Sequence, residues 1–335
     1  MEHELYSIAI YLNRDCVRNC PQCGISDRSR RPMSFEQFRD AFEILHEAYG
    51  TTFFLVLGVE PLLLKDDFVK IVKYWNDRKL FYAIYSTSPE PLFSKYRTKL
   101  LDVGLNNWSC GIDGIPGLMP LDQIVRDKTT DGLRGLKWMA DHGAETFEVT
   151  TVTNENLDYV PDIVEWCQEN IPGCGSCINP VEWRHNETFD FFSKKEDMMD
   201  LVIPDKQLLD VEQMIRRMFE LTRRPGYLIQ NNDKFLRNYT RYFNTLDLRC
   251  NGGVGMGMDC DGTLRRCGYN RGREISKYTV WDIAKDPDKI YDIWLADAKS
   301  CEGCYWSWIY SLEEDHEAAV LGSNYYTKRW DESEL

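Results

Sequence analysis

Short apolar runs alternate with amphipathic stretches through roughly the first 180 residues, and the period of the pattern switches between them from two to about 3.6. The runs Ser7–Leu12, Thr52–Leu57, Phe81–Ser86, Asn107–Ile112, Thr146–Val152 and Ser176–Pro180 predict six strands. Ser34 and Gln37 have the spacing of a capping box, and Phe38, Ala41, Phe42, Leu45 and Ala48 recur on one face, so the pattern predicts a helix over Ser34–Tyr49. Phe53–Leu57 is apolar without a break, as a parallel strand covered on both faces should be. Six βα units of about thirty residues each read as a parallel sheet curling into a partial or complete barrel, which binds its ligands at the C-terminal strand ends.

The pattern changes after Pro180. Asp205–Leu221 reads as a helix ended by Arg223-Arg224-Pro225-Gly226, Tyr227–Gln230 as a short strand, and Asp233–Phe243 as a further helix. From Cys250 the chain turns rich in Gly and Cys, with Asp261-Gly262 marking a hairpin. The expected organisation is an α/β protein with a partial parallel (βα)6 barrel over residues 1–200, a helical connection over 201–249 and a small C-terminal domain over 250–335.

Composition narrows the partners. The 335 residues carry 40 Lys plus Arg and 54 Asp plus Glu, a net charge of −14 that disfavours nucleic acid and anionic membranes. No apolar stretch approaches the ~18 residues a membrane helix needs, and the acidic start Met1-Glu2-His3-Glu4 is unlike a signal peptide, so a cytoplasmic location is expected. Twelve cysteines are too few for a disulfide scaffold of this length; in a reducing compartment they are thiols or metal ligands.

Three of them, Cys16, Cys20 and Cys23, form a CxxxCxxC directly after the first predicted strand. Three thiolates in one loop can hold three corners of a [4Fe–4S] cluster and leave the fourth iron open, whereas a structural zinc site closes with four ligands. The competing reading is a zinc loop completed by a distant residue.

With this loop the chain resembles the radical S-adenosylmethionine (SAM) enzymes. The resemblance implies a cluster on Cys16, Cys20 and Cys23 whose open iron binds SAM, and reductive cleavage of SAM to a 5′-deoxyadenosyl radical. Gly58-Val59-Glu60-Pro61 resembles the family's Gly-Gly-Glu-Pro segment at the end of strand two. Ser109 to Gly114, including Asp113, is similar to its fourth strand ending, and Thr151 to Asn156, including Asn154, lies where the fifth strand approaches the ribose. The resemblance thus implies SAM contacts from Gly58, Val59, Glu60, Pro61, Ser109, Asp113, Thr151 and Asn154. Gln22 also falls at the family's adenine-side position. Two positions depart from the pattern: Gln22 replaces an aromatic residue, and Val59 replaces the second glycine.

Cys250, Cys267, Cys301 and Cys304 resemble the ligand set of the twitch domain, the shortened SPASM domain, which implies an auxiliary [4Fe–4S] cluster with every iron closed. A zinc ribbon on the same sulfurs is the alternative. Cys260 is left over. Cys167 shares a helical stripe with Val160, Ile163 and Val164 and reads as core, and strand parity turns Cys110 toward the covering helices. Cys177 shares parity with Asn179 and can face the barrel interior, so Cys177 and Cys260 are the candidate catalytic thiols. His185, just after strand six, is a candidate substrate-facing residue or an exposed loop histidine. Arg28, Arg30 and Arg31 form a basic cluster that could meet an anionic substrate or simply face water.

The resemblance implies a radical SAM oxidoreductase served by an external donor of the flavodoxin or ferredoxin type. Net dehydrogenation, with the substrate electron passing to the auxiliary cluster, is expected; epimerisation with Cys177 or Cys260 returning hydrogen is the alternative. Only fifteen residues precede Cys16, which favours a small polar substrate such as a sugar, aminocyclitol or nucleoside over a leader-guided ribosomal peptide. A non-enzymatic metal-binding scaffold is a third possibility.

Overall fold

The computed structural model describes residues 5, 7–23, 31–57, 59–181, 200–231, 233–239, 255–268 and 272–300. Six parallel strands follow one another in chain order: β1 (Ser7–Ile10), β2 (Phe53–Val56), β3 (Phe81–Ile84), β4 (Asn107–Gly111), β5 (Glu145–Val152) and β6 (Gly175–Pro180). Helices α1 (Phe35–Tyr49), α2 (Asp66–Asp77), α3 (Leu92–Asp102), α4 (Gln123–Asp141) and α5 (Val160–Asn170) make the crossovers. Hydrogen bonding gives two sheets, β3-β2-β1 and β4-β5-β6, joined through a parallel bridge between Tyr85 and Ser109. The sheet therefore runs β1 to β6 around an open barrel, as the βα alternation predicts.

Local chemistry explains the elements. Ser34 Oγ accepts from Gln37 N at 3.3 Å while Ser34 N donates to Gln37 Oε1 at 3.1 Å, so the capping box starts α1, and Gly50, at φ 68°, ends it. Helix α4 carries Gly132 and Gly135, each costing about 1 kcal/mol of helix propensity relative to alanine. Packing accounts for them. A Cβ on Gly132 would sit 2.8 Å from Ile112 Cδ1, and one on Gly135 only 2.1 Å from Ser88 Oγ, so the glycines let α4 press directly on β4.

The two faces of the strands differ. On β5 the even positions Thr146, Glu148, Thr150 and Val152 are buried, whereas Phe147, Val149 and Thr151 are half-buried and line the open interior. Ala9, Tyr11, Phe53, Leu55 and Leu57 form a small interior cluster with Val59, Ala83 and Tyr85, separate from the main core under α1 to α4. Cys110 and Cys167 lie fully buried in that main core, as their parity and stripe predict.

Beyond the barrel, α6 (Leu208–Leu221) packs on α5, and β7 (Leu228–Ile229) extends β6 in parallel. The helix α7 (Asp233–Asn238) follows. The hairpin β8 (Gly257–Met258) and β9 (Leu264–Arg265) turns at Asp261-Gly262 with Gly262 at φ 85°, where a side chain would strike Trp281. Strand β8 pairs parallel to β1, so the hairpin of the expected C-terminal domain joins the barrel sheet itself. Helices α8 (Val280–Ile283) and α9 (Pro287–Lys299) then pack over it against α1 and the main core.

Candidate active site at the strand ends

The loop after β1 places Cys16, Cys20 and Cys23 together at the C-terminal end of the sheet. Cys16 and Cys20 are half-buried and Cys23 is exposed. Arg18 N donates to Cys16 Sγ at 3.4 Å, and Cys23 N donates to Cys20 O at 3.0 Å, so the loop folds back on itself around its thiols. Burial pushes the Cys16 thiol up to about 11, helped by Glu60 and the other two thiols, and burial likewise raises Cys20. Each thiol is within electrostatic reach of its neighbours, and metal binding would replace the protons that burial favours. Among the described residues, no three His, Cys, Asp or Glu side chains converge tightly enough for a single ion. Three thiols from one loop can hold three corners of a cubane cluster and leave one iron free.

Two anchors order the neighbouring strand ends. Glu60, fully buried, accepts from Leu62 N at 3.1 Å, Ser86 Oγ at 2.9 and 3.1 Å, and Thr87 N and Oγ1 at 2.8 Å each. Burial raises its carboxyl against the lowering pull of these bonds. Its own backbone is held by Asp15 O and Asn13 Nδ2, which ties the end of β2 to the stem of the cysteine loop. Pro61 opens the short helix that Glu60 caps. Val59, just before it, stands at φ 65°, a conformation costly for a β-branched residue and natural for the glycine the family pattern expects.

The second anchor is Asp113, after β4. Its Oδ1 accepts from Thr151 N at 3.0 Å, and its Oδ2 accepts from both Gln22 Nε2 and Lys128 Nζ. Asn156 Nδ2 donates to Asp113 O at 3.1 Å. One residue thus joins β4, β5, α4 and the cysteine loop. Lys128 is almost fully buried; burial alone would lower its pKa, but Asp113 and the Cys20 thiol outweigh this and raise it. Asp131, one turn further along α4, pairs with Arg18 of the loop. Gln22 and Asp113 also border a small open cleft with Leu121, Thr153, Asn156 and Leu201.

The loop's stem is fixed to the C-terminal hairpin as well. Arg14 Nε donates to Asp259 Oδ1 at 2.8 Å, Arg265 Nη1 reaches Asp259 Oδ2 at 3.1 Å, and the Arg14 guanidinium lies 4.3 Å over the Tyr11 ring. Tyr11 in turn donates to Gly268 O at 2.8 Å, beside Cys267.

Residues 10–167 match the Radical SAM superfamily. The chain carries a radical SAM domain. It is 24% identical over 251 residues, 70% of this chain and 77% of the other, to an uncharacterized protein of Methanocaldococcus jannaschii. Its fold is similar to that of Streptococcus suis SuiB bound to the precursor peptide SuiA, with a TM-score of 0.59, 12% identity, and coverage of 90% of this chain and 68% of SuiB. It is also similar to anSMEcpe with bound AdoMet and the Cp18Cys peptide, with a TM-score of 0.55, 14% identity, and coverage of 96% and 99%. These two likenesses are of fold. A radical SAM domain implies SAM and a [4Fe–4S] cluster, and the donor set of the loop fits three corners of it.

The residues expected to serve the radical SAM site divide as follows. Gln22, Val59, Glu60, Pro61, Asp113 and Thr151 lie at the strand ends beside the three cysteines, and Ser109 is buried lower on β4 with its carbonyl accepting from Ser86 N at 2.9 Å. Asn154 turns away: its Nδ2 donates to Asp200 O at 2.6 Å. Asn156, its neighbour, faces Asp113 instead. Cys177 is buried on β6, where Asn179 Nδ2 lies 3.5 Å from its sulfur, on the strand face opposite Ile178 of the helical core. Cys260 is fully buried after β8, and burial raises its thiol to about 12. Cys267 is half-buried after β9. Gly58, His185, Arg28, Arg30, Cys250, Cys301 and Cys304 lie outside the described residues. Lys128 and Asp131 carry no recognisable motif; the signal that could have found Lys128 is a lysine inside the buried stripe Val125, Thr129, Gly132, Leu136 and Met139.

Proposed function

We propose that this radical SAM protein is an oxidoreductase that takes a hydrogen atom from an sp3 carbon of a small polar substrate and carries it to net dehydrogenation. When bound, the cluster and SAM supply a 5′-deoxyadenosyl radical, and the protein supplies binding and orientation. Cys16, Cys20 and Cys23 would hold the cluster. Glu60 and Asp113 order the strand ends around it, and the cleft beside Gln22 and Asn156 is a fitting place for the nucleoside of SAM. The substrate would enter the open interior, whose β4 to β6 side offers Ser109, Thr151, Cys177 and Asn179 as polar contacts.

The observation that carries the reading is the convergence of the three-thiol loop with Asp113 and Glu60 at one end of an open parallel barrel. An auxiliary cluster on Cys250, Cys267, Cys301 and Cys304, in a twitch-like domain over 250–335 linked by 201–249, would take the substrate electron. The Arg14–Asp259 and Tyr11–Gly268 bonds support electronic closeness between the two regions, since they tie the stem of the first loop to the hairpin bearing Cys267. A cytoplasmic setting with a flavodoxin- or ferredoxin-type donor fits these thiols.

Epimerisation is the second reading, because Cys177 faces Asn179 on the interior parity of β6. The fold likeness to SuiB and anSMEcpe, whose structures hold peptides, makes a peptide the alternative substrate class. To test the reading, reduced protein with SAM is offered panels of sugars, aminocyclitols, nucleosides and short peptides in deuterated water. Stimulated release of 5′-deoxyadenosine by a small polar compound, with a product two hydrogens lighter, is expected. Stimulation by peptides alone, or a product that has gained one solvent deuterium, overturns it.

A further inference from the structure

One row of side chains crosses the barrel interior below the cysteine loop. Tyr85, at the end of β3, bridges to Ser109 on β4; Ser109 pairs in register with Phe147 on β5, and Phe147 with Gly175 on β6. Strand parity sets Tyr85, Ser109 and Phe147 on the interior face, since their neighbours Ile84, Cys110 and Glu148 are buried beneath the helices. Tyr85 and Phe147 are half-buried, so each presents part of its ring. The Phe147 ring leans onto Gly175, where a Cβ would lie 2.0 Å from its Cε1, and so tips away from Ser109. Ser109 itself is 4% exposed, and its Oγ makes no hydrogen bond among the described residues. A buried hydroxyl without a partner costs ~1–3 kcal/mol, and alanine would fill the same strand position without that cost. The fold therefore gives no reason for a hydroxyl here, and a ligand that bonds to it does.

We propose that Tyr85, Ser109 and Phe147 form the substrate subsite of the barrel, and that it takes a neutral, saturated, hydroxyl-bearing ring of the pyranose or cyclitol class, with ring C–H groups against the two aromatic side chains and a ring hydroxyl on Ser109 Oγ. The proposal deepens the reading of the protein as a radical SAM enzyme for a small polar substrate, and rests on it. The class follows from the three side chains together. Aromatic faces are electron-rich and favour C–H groups over bare polar atoms, while Ser109 offers one donor and two acceptor positions for a hydroxyl. A phenyl group would leave Ser109 unsatisfied, and a planar base would bring no sp3 C–H to the subsite. An acyclic polyol can reach Ser109, but loses torsional freedom in lying across two rings that a cyclic one has already given up. The row carries no charge for a phosphate or carboxylate, and Lys128 and Asp113, above it beside Gly111, pair with each other. Ser109 thereby passes from the cofactor, where the family resemblance puts it, to the substrate; it stands four residues before Asp113, ~13 Å at the usual rise of a strand.

The test is saturation-transfer NMR on the anaerobically reconstituted protein with SAM, irradiating aromatic protons and observing methyl β-D-glucopyranoside and myo-inositol, with sorbitol, glucose 6-phosphate and phenylalaninamide as comparisons. The two ring probes should take up saturation on their ring C–H protons, well above the three comparisons. Ser109→Ala should weaken their binding about tenfold and leave the urea midpoint unchanged or raised, whereas a hydroxyl with a purely structural role would lower it. Phe147→Leu and Tyr85→Leu should each reduce the transfer. Where either leucine variant fails to fold, Ser109→Ala alone decides. No transfer to either ring probe, stronger transfer to any comparison, or parent affinity in Ser109→Ala overturns the proposal. Failure of the underlying reading looks different: the reduced parent then releases no 5′-deoxyadenosine from SAM that Cys20→Ala abolishes.

Discussion

Glu148 points from the middle of β5 into the layer under α4 and α5, fully buried, with Thr150 Oγ1 donating to its Oε2 at 2.9 Å and no hydrogen bond to Oε1. Burial raises its pKa from the ordinary 4.5 to about 8, against lowering by Thr150 and Ser176. A carboxyl whose folded value lies above its unfolded value stabilises the fold fully below about 4.5, and that stability is lost as pH rises through about 8. At about 1.4 kcal/mol per unit, the whole effect is about 5 kcal/mol, and roughly 2.5 kcal/mol of it disappears between about pH 6 and about pH 9. This is a large share of the ~5–15 kcal/mol that holds a domain together. Glu148→Gln keeps the shape and cannot ionise, so urea denaturation of both proteins at the two pH values isolates the effect. Cys110, Cys167 and Cys174, buried nearby, titrate in both and cancel in the comparison. The parent should lose roughly 2–3 kcal/mol more than the variant on going from the lower to the higher pH. Equal losses would refute the placement of an un-ionised Glu148 behind β5.

Other consequences follow from single residues. Gly135→Ala, an improvement by helix propensity, should destabilise by about 2 kcal/mol in the same denaturation assay, because its Cβ would lie 2.1 Å from Ser88 Oγ. Val59→Gly should raise thermal stability by about 1 kcal/mol by releasing a β-branched residue from φ 65°. Iron and sulfide analysis after anaerobic reconstitution should give about eight of each per chain, and Cys267→Ser should leave roughly half; the full count in that variant would remove Cys267 from the auxiliary set. Glu60→Gln should weaken SAM binding about tenfold in equilibrium dialysis, since the neutral amide cannot accept all the donors of Ser86, Thr87 and Leu62 that order this strand end.

Much of this was legible in the sequence because the signals were local. The six strands fall within a few residues of their apolar runs, the capping box at Ser34 forms as its spacing implies, and the CxxxCxxC stands at the end of β1. What pattern reading missed depends on tertiary neighbours. On β5 the polar Thr146, Glu148 and Thr150 are buried under the helices while Phe147 and Val149 are half-buried on the other face, a division set by the covering helices and not by local polarity. The sequence pattern can place Lys128 within the stripe of α4, but only the tertiary structure shows its partner, Asp113, fifteen positions away. The hairpin at Asp261-Gly262 announces itself, yet nothing local says that its first strand will pair with β1. The glycines of α4 weaken a helix by propensity and are explained only by the side chains of Ile112 and Ser88.

The central claim, that the three-thiol loop works as a radical SAM centre, is tested most directly by incubating the anaerobically reconstituted, reduced protein with SAM and measuring 5′-deoxyadenosine. The parent should release it even slowly without substrate, and Cys20→Ala should release none above background. Zinc in place of iron in the purified parent, or undiminished release from the Cys20→Ala variant, would contradict the account.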